Sequence, residues 1–264
     1  MNYKKVLCIA GSENLGCAGV QADIKAVSAC GAFGAGAVTC LVNKDSLHVK
    51  GVHPLPVEWV VEAVRLFLDD PKAEAVKTGM LFTRELIEAL AGLLKDYPDI
   101  PKVVDPVMVS FGGDRLIEWD AVEAYRNVLF PLATIITPNY REACLLLGHD
   151  FGAESVEDDM AVLCRGGNAC IVKSLRKDGK HMDVLGMPSA DGLRIRFFEK
   201  DYIDTRNVEG SGCSFSSSMA AYLAQGCGLE EAVEKAETYI HGAIGKGAAY
   251  SFGAGFGPVC HFWY

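Results

Sequence analysis

Short apolar runs of strand length alternate with amphipathic segments of helix length along most of this chain. Uncharged apolar runs without polar alternation are typical of strands that are buried on both faces of a parallel sheet. The pattern predicts strands at 6–10, 37–42, 75–78, 103–105 and 134–137, and helices at 20–30, 57–68, 84–96 and 121–128. Strands and helices in this order predict an α/β protein with a mainly parallel sheet covered by helices.

The last third of the chain follows a different pattern. Residues 182–187 and 193–199 flank the turn sequence Ser189-Ala190-Asp191-Gly192, which is typical of a hairpin and predicts antiparallel strands at one edge of the sheet. Two long helices are predicted to close the chain. No linker or low-complexity tract divides the sequence, so residues 1–264 are expected to form a single domain.

The charge balance limits the partners that the chain can take. It has 25 basic and 34 acidic residues, a net charge of −9, and no basic cluster in any segment. We therefore expect binding to neither nucleic acid nor anionic membranes. An anionic substrate would need local compensation from helix N-termini, a lysine or a divalent cation.

The cysteines and the N-terminus favour a reduced, cytoplasmic protein. The ten cysteines form no Cys-x-x-Cys pair, no histidine spacing is typical of a zinc site, and several cysteines lie in apolar segments as small core residues. The apolar run 6–10 is too short for a signal peptide. No stretch has the about 20 apolar residues that a membrane span needs.

The segment Glu209-Gly210-Ser211-Gly212-Cys213 precedes a helix-like run and suggests an anion site. Two glycines allow a tight turn, and the N–H groups at the start of a helix have no partners within it. Such groups stabilise charge that develops on oxygen during phosphoryl or acyl transfer. The electric field of these N–H groups at the helix start is expected to lower the pKa of Cys213 and make it a base or nucleophile. A common turn before a helix, with no role in binding, explains the glycines equally well.

Polar residues follow most of the predicted strands. In parallel sheets ligands bind beyond the carboxyl ends of the strands, so these residues are expected to converge on one pocket. They lie at 11–13, 44–45, 77–80, 105, 137–139 and 173. The glycine patterns of phosphate loops and dinucleotide-binding turns are absent, which leaves the turn at Gly210 as the better phosphate site.

Six segments of the chain together resemble the hydroxymethylpyrimidine and phosphomethylpyrimidine kinases of thiamine biosynthesis, a family of the ribokinase-like superfamily that is related to pyridoxal kinases. They span the whole chain, at 11–25, 76–81, 104–108, 136–143, 210–213 and 255–262. The resemblance implies a three-layer α/β/α ribokinase-like fold, ATP and Mg²⁺ as cofactors, a small heteroaromatic alcohol or its phosphate as substrate, and a homodimer.

The resemblance also implies roles for individual residues. Gly210, Ser211 and Gly212 would hold the transferring phosphoryl group, and Cys213 stands where sugar kinases of the superfamily carry an aspartate base. Asn139, Lys173 and Ser211 would bind ATP. Asp105 and Glu142 would organise the metal, mainly through water. The substrate would be bound by Gly11, Asp23, Lys44, Met80 and Val107.

Local structure offers another explanation for several of these residues. Asn139 and Glu142 spell a helix capping box, and Asp105 before proline is suited to a turn. Lys173 is equally suited to a solvated surface. Met80 and Val107 are core residues by default. Either explanation is compatible with the sequence alone.

Three residues and one loop depart from the pattern of the family. Lys44 stands where Gln or Glu is common, and because an ammonium group has no acceptor it suits an exocyclic amine poorly. Glu209 replaces a usual histidine, Glu13 a usual aspartate, and residues 110–113 lack a lysine that is often found there. An acid gained beside the anion site is expected to weaken triphosphate binding.

Three functions follow in order of preference. The first is ATP-dependent phosphorylation of 4-amino-5-hydroxymethyl-2-methylpyrimidine, its monophosphate, or both. The second is a pyridoxine or pyridoxal kinase, since a thiol such as Cys213 can form a hemithioacetal with an aldehyde, as the resemblance to thiol-containing pyridoxal kinases suggests. The third is a ligand-binding relative with little kinase activity.

Overall fold

A nine-stranded sheet organises the protein in the computed structural model, which describes residues 3–108, 117, 119–177 and 179–264. The strands are β1 (Lys5–Glu13), β2 (Phe33–Lys44), β3 (Val49–Pro54), β4 (Ala75–Thr78), β5 (Lys102–Val104), β6 (Ile135–Ile136), β7 (Ala169–Lys177), β8 (Lys180–Ser189) and β9 (Gly192–Asp201). Their order is β3-β2-β1-β4-β5-β6-β7-β8-β9. Strands β2, β1, β4, β5, β6 and β7 are parallel to one another.

Helices cover both faces of this sheet. They are α1 (Gly19–Ala29), α2 (Val57–Asp69), α3 (Arg84–Leu94), α4 (Trp119–Ala124), α5 (Tyr140–Leu147), α6 (Val156–Leu163), α7 (Ser211–Ala224) and α8 (Leu229–Gly247). After α4 the chain continues through a π-helical turn at Tyr125–Leu129. Within the described ranges, no helix is both long and apolar enough to cross a bilayer.

The two apolar cores follow from the alternation of side chains along each strand. In β1, Leu7 and Ile9 pack on the face covered by α2 to α6. Val6 and Cys8 pack on the opposite face, against α1, α7 and α8. Each central strand is buried on both sides, which explains its continuous apolar sequence. The three-layer α/β/α prediction is confirmed.

The antiparallel part of the sheet is larger than predicted. The hairpin of β8 and β9 forms one edge, as expected. The opposite edge is also antiparallel because β3 pairs with β2, an addition that the sequence did not indicate. Most residues of β3 are exposed, and this strand therefore carries no apolar pattern that reveals it in the sequence.

The carboxyl ends of the parallel strands meet at one edge of the sheet and carry the predicted polar residues. Two strands change register there: β1 shifts between Ala10 and Ser12 against β2, and β7 shifts between Val172 and Leu175 against β8. Bulges of this kind re-aim side chains and are common beside functional sites. Residues 110–113, which lack the lysine that is often found there in the family, lie outside the described residues.

Candidate active site

The N-terminus of α7 is built on a left-handed glycine. Gly210 caps the helix with φ +74°, and a Cβ there would overlap the carbonyl oxygen of Cys17. Only glycine adopts a left-handed φ without strain and also lacks the Cβ that would overlap this oxygen. The first helical bond runs from Ser214 N–H to Gly210 O at 2.8 Å, and no side chain caps this end.

The start of α7 leaves N–H groups available for a ligand. Within the part of the chain that the structure describes, no partner is seen for the N–H groups of Gly212 and Cys213. The N–H of Ser211 is different because it donates to Val208 O at 3.1 Å, so a phosphate contact from Ser211 would come from its hydroxyl group. Free N–H groups at a helix start suit an anion.

The expected thiolate at Cys213 is not what the structure supports. Burial raises the pKa of the thiol to about 11, with Lys77 opposing the rise and Asp23 and Asp105 adding to it. The prediction of a lowered pKa is therefore wrong: desolvation outweighs the helix field and the nearby ammonium group. Cys213 is a protonated thiol at neutral pH.

Asp105 and Lys173 form a buried ion pair next to this turn. Lys173 Nζ donates to Asp105 Oδ1 at 2.8 Å, and a Cβ on Gly212 would lie 3.3 Å from the same Nζ. Burial opposes ionisation, but Lys173 and Lys77 hold the pKa of Asp105 below its usual value. A solvated surface position for Lys173 is excluded, since only 6% of the residue is exposed.

Helix α7 and the strand end beside β6 complete the shell around Asp105. Thr137 Oγ1 donates to its Oδ1 at 2.9 Å. Ser216 Oγ lies 3.3 Å from its Oδ2 and shares its one proton between that oxygen and the carbonyls of Gly212 and Cys213, at 3.0 and 3.1 Å. With only 2% of the residue exposed, Asp105 is a supporting group beneath the site rather than an open metal ligand.

A second buried ion pair lies beside the first. Lys77 Nζ donates to Asp23 Oδ1 at 2.7 Å, and both side chains are fully inaccessible. Ser217 Oγ donates to the same oxygen at 2.7 Å. Asp23, predicted to bind substrate, thus lies beneath the turn and has no exposed surface. Its carboxylate raises the pKa of Lys77 against the opposing effect of burial.

Sequence reasoning included Lys77 among the polar residues at the strand ends but gave it no role, and it missed Ser216 and Ser217 as parts of the site. Lys77 carries a usable signal: a lysine in the fully buried strand β4 needs a charged partner. The two serines carry none, because small hydroxyl residues in a buried helix most often satisfy local carbonyls. Their contacts with the two carboxylates are long-range and depend on the packing of α7.

Asn139 and Glu142 form the predicted capping box. Asn139 Oδ1 accepts from Glu142 N at 3.0 Å, and Glu142 Oε2 accepts from Asn139 N at 2.9 Å. Glu142 Oε1 also accepts from Met108 N at 3.1 Å. Burial, together with the charge of Asp105, raises the pKa of Glu142 to about 7. The backbones of Asn139 and Lys173 form an isolated parallel β-bridge, so the capping box lies beside Lys173 and is part of the site.

Lys44 and Glu209, two of the departures, form an ion pair with each other. Their side chains are 13% and 10% exposed. Asn14 fixes the backbone of Lys44 through two hydrogen bonds of 2.8 and 3.0 Å. The charge of Glu209 is thus compensated beside the α7 turn. Its Oε2 is buried and has no hydrogen-bond partner among the described residues.

Glu13, another departure, closes its own loop. Its carboxylate accepts from the N–H groups of Leu15, Cys17 and Ala18, at 2.7 Å for Leu15 and 2.8 Å for Ala18. This loop carries the Cys17 carbonyl that lies against Gly210. Glu13 therefore supports the turn from beneath.

The remaining predicted substrate residues border the site to different degrees. Met80 and Val107 are half-buried, as apolar walls of a partly open site would be. Gly11 is buried, and a Cβ there would lie 2.9 Å from Cys40 Sγ. The close approach of Gly11 and Gly19 seats the loop that follows β1.

The acidic side chains fit a water-mediated Mg²⁺ ion better than a directly bound one. Within the described ranges, no group of three His, Cys, Asp or Glu side chains could hold a metal. Asp105 and Glu142 are close enough to raise the pKa of Glu142, so a cation nearby would relieve repulsion. Mg²⁺ commonly keeps several waters and binds mainly to substrate phosphates, which suits such a pair.

Comparisons with known proteins agree with this geometry. Residues 14–260 match the family described as phosphomethylpyrimidine kinase. The chain is 39% identical to a hydroxymethylpyrimidine/phosphomethylpyrimidine kinase of Streptomyces coelicolor, over 98% of this chain and 94% of that protein. It is 38% identical to the thiamine biosynthesis bifunctional protein ThiED of Geobacter sulfurreducens, over 97% of this chain but only 52% of that longer protein.

A solved structure shares the fold. The pyridoxal kinase from Staphylococcus aureus in complex with AMP-PCP and pyridoxal superposes with a TM-score of 0.87 and 31% identity. The match covers 100% of this chain and 95% of that one.

Proposed function

Because the chain belongs to the phosphomethylpyrimidine kinase family, we propose that it transfers the γ-phosphoryl group of ATP to 4-amino-5-hydroxymethyl-2-methylpyrimidine and to its monophosphate, in thiamine biosynthesis. The observation that carries this proposal is the uncapped α7 turn with Lys173 beside Gly212. A cation next to free N–H groups is suited to a phosphoryl group in transfer.

The turn stabilises the charge that develops during transfer. The N–H groups of Gly212 and Cys213 bind oxygens of the γ-phosphoryl group, and the hydroxyl of Ser211 adds a contact. Lys173 and Asn139 bind the phosphates of ATP. Since Asp105 already holds the Lys173 ammonium in place, little reorganisation is needed when ATP arrives.

Cys213 positions the substrate hydroxyl by hydrogen bonding. A thiol with a pKa of about 11 is protonated before the reaction, so it cannot take up the proton of the hydroxyl, which instead passes to an oxygen of the transferred phosphoryl group. In a loose phosphoryl transition state the acceptor hydroxyl needs little deprotonation. Positioning by Cys213 therefore contributes more than proton removal.

Asp105 and Glu142 would hold Mg²⁺ through its waters. The ion would supply charge neutralisation on the phosphates when bound. The positive charge of the bound ion would favour the ionised form of Glu142, whose pKa is raised to about 7 by burial and Asp105.

The Lys44–Glu209 pair supports an aminopyrimidine substrate. The ammonium group is a donor, and the unpartnered Oε2 of Glu209 is an acceptor. An aminopyrimidine edge offers the complementary set, a ring-nitrogen acceptor beside an amino donor. Glu209 thereby supplies the acceptor that Lys44 lacks. Met80 and Val107 flank the ring.

A pyridoxal kinase activity is the second candidate. It is favoured by the Staphylococcus aureus kinase that binds pyridoxal and by the half-buried thiol of Cys213. The setting we propose is the cytoplasm, since all ten cysteines are free thiols and such thiols persist in reducing compartments. The homodimer that we propose rests on the family resemblance alone.

An ATP-consumption assay of the purified protein tests the proposal. Hydroxymethylpyrimidine, its monophosphate, pyridoxine and pyridoxal are each supplied with ATP and Mg²⁺. We expect the highest kcat/KM with one of the two pyrimidines. Turnover of pyridoxal alone would support the second candidate, and absence of turnover with all four would leave the weakly active relative as the better description.

A further inference from the structure

The bulge in β7 is what brings Lys173 to the site. The strand pairs with β8 at Val172 and again at Leu175. Between these positions two residues, Lys173 and Ser174, lie opposite the single residue Asp183. An inserted residue bends the strand and re-aims its neighbours. Lys173 also donates its main-chain N–H to Pro138 O at 2.9 Å, toward the end of β6.

Ser174 adopts an unfavourable backbone conformation in this bulge. Its φ is +68°, in the left-handed region, which a residue with a Cβ rarely adopts without support from its surroundings. The side chain of Ser174 is exposed, so packing does not hold it. Support comes instead from its main-chain N–H, which donates to Asp183 Oδ1 at 2.7 Å.

Asp183 is itself held from neighbouring elements. It is 4% exposed, and His181 Nε2 lies 3.0 Å from its Oδ1. Burial, followed by the charge of Asp183, raises the pKa of Glu237 in α8 to about 8. Lys200 Nζ in β9 donates to Glu237 Oε2 at 2.9 Å.

We infer that Asp183 is a positioning residue for the nucleotide site: it holds Ser174 in its left-handed conformation and so keeps the Lys173 ammonium beside Asp105 and Gly212. Asp183 touches neither Lys173 Nζ nor the α7 turn through any hydrogen bond among the described residues. Its effect therefore passes through the backbone of the bulge. The inference rests on the proposed contact between Lys173 and ATP.

Binding of AMP-PCP measured by calorimetry tests this without turnover. Losing the hydrogen bond between the Ser174 N–H and Asp183 is expected to raise the Kd for AMP-PCP in Asp183→Ala about tenfold. Asp183→Asn keeps an acceptor oxygen and should bind as the wild type does. The matched control is Asp201→Ala, which removes an exposed aspartate from the same hairpin and should leave the Kd unchanged.

A second substitution separates positioning from a general loss of stability. Glycine tolerates a φ of +68° without strain, so Ser174→Gly should restore binding in the Asp183→Ala background. Should Asp183→Ala fail to fold, Ser174→Val probes the same bulge from an exposed position and should weaken binding likewise, because a β-branched residue resists this conformation.

Lys173→Ala separates the proposed contact of Lys173 with ATP from the positioning role of Asp183. If it leaves the Kd unchanged, the proposed contact of Lys173 with ATP is wrong, and the inference is overturned with it. Two other results would overturn only the positioning role of Asp183. In the first, Lys173→Ala raises the Kd, and adding Asp183→Ala to it raises the Kd again by as much as Asp183→Ala does alone. In the second, Ser174→Gly does not lower the Kd of Asp183→Ala. The expected result is no further loss from Asp183→Ala when Lys173 is absent.

Discussion

The ammonium group of Lys44 pairs with the carboxylate of Glu209, joining the end of β2 to the residue that precedes the α7 turn. Taken alone, Lys44 would disfavour an aminopyrimidine and Glu209 would disfavour a phosphate. Together they are electrically neutral and offer one donor and one acceptor. The pair therefore keeps the turn compatible with a phosphate and the site compatible with an aminopyrimidine.

Exchanging the two charges tests this pair. Lys44→Gln leaves a mostly buried carboxylate unpaired and should lower the free energy of unfolding by about 1–3 kcal/mol. Lys44→Glu combined with Glu209→Lys restores a pair and should recover most of that stability. Urea unfolding measures both. Lys44→Gln should also change the ratio of kcat/KM for pyrimidine and pyridoxal, and an unchanged ratio would remove this pair from substrate selection.

The acidity of Cys213 can be measured by alkylation. With a pKa of about 11, the thiolate fraction, and with it the rate with iodoacetamide, should rise about tenfold for each pH unit between 7 and 10. Mass spectrometry of the peptide that contains Cys213 follows the rate. A rate that is already constant above pH 7.5 would show a thiolate and contradict the effect of burial.

Cys213→Ala and Cys213→Ser test the role of the thiol in transfer. If the thiol mainly positions the substrate hydroxyl, serine should keep more of kcat than alanine does, because it retains a donor and acceptor. The loss in the alanine variant should be below the about 10²–10⁴-fold that removal of an essential general base produces. A steady-state comparison at pH 7.5 checks this.

Gly210 is expected to be intolerant of any side chain. Gly210→Ala combines a left-handed φ with overlap of the Cys17 carbonyl, so it should abolish activity and lower stability. Gly226, just after the same helix, provides the control, since its φ is +92° but a Cβ there would meet nothing within 4 Å. Gly226→Ala should cost about 1 kcal/mol and leave kcat unchanged. Equal effects of the two variants would contradict the overlap.

The Asp23–Lys77 pair should contribute to stability far more than a surface pair does. Lys77→Met leaves an inaccessible carboxylate without its cation and should lower the free energy of unfolding by about 3–5 kcal/mol. Arg84→Ala breaks the exposed Arg84–Glu88 pair and should have a much smaller effect, because solvent screens it. Guanidinium unfolding of the two variants gives the comparison.

Sequence patterns predicted the parts of the fold that depend on local periodicity. The central strands and the hairpin of β8 and β9 were predictable because burial on two faces, or a turn between alternating strands, leaves a visible pattern. Strand β3 was not, because it is an exposed edge strand. The capping box of Asn139 and Glu142 was also predictable, since both partners lie within four residues.

The sequence by itself determined the α/β architecture, the family, and a glycine turn at Gly210 before a helix, because each of these rests on residues that are near neighbours in the chain or on motifs in a set order. Only the tertiary structure decided the charges of the site. It paired Lys44 with Glu209, Lys173 with Asp105 and Lys77 with Asp23, and it desolvated the half-buried thiol of Cys213 enough to keep it protonated. Desolvation and pairing depend on which groups the fold brings within a few ångströms, and no spacing along the chain carries that distance.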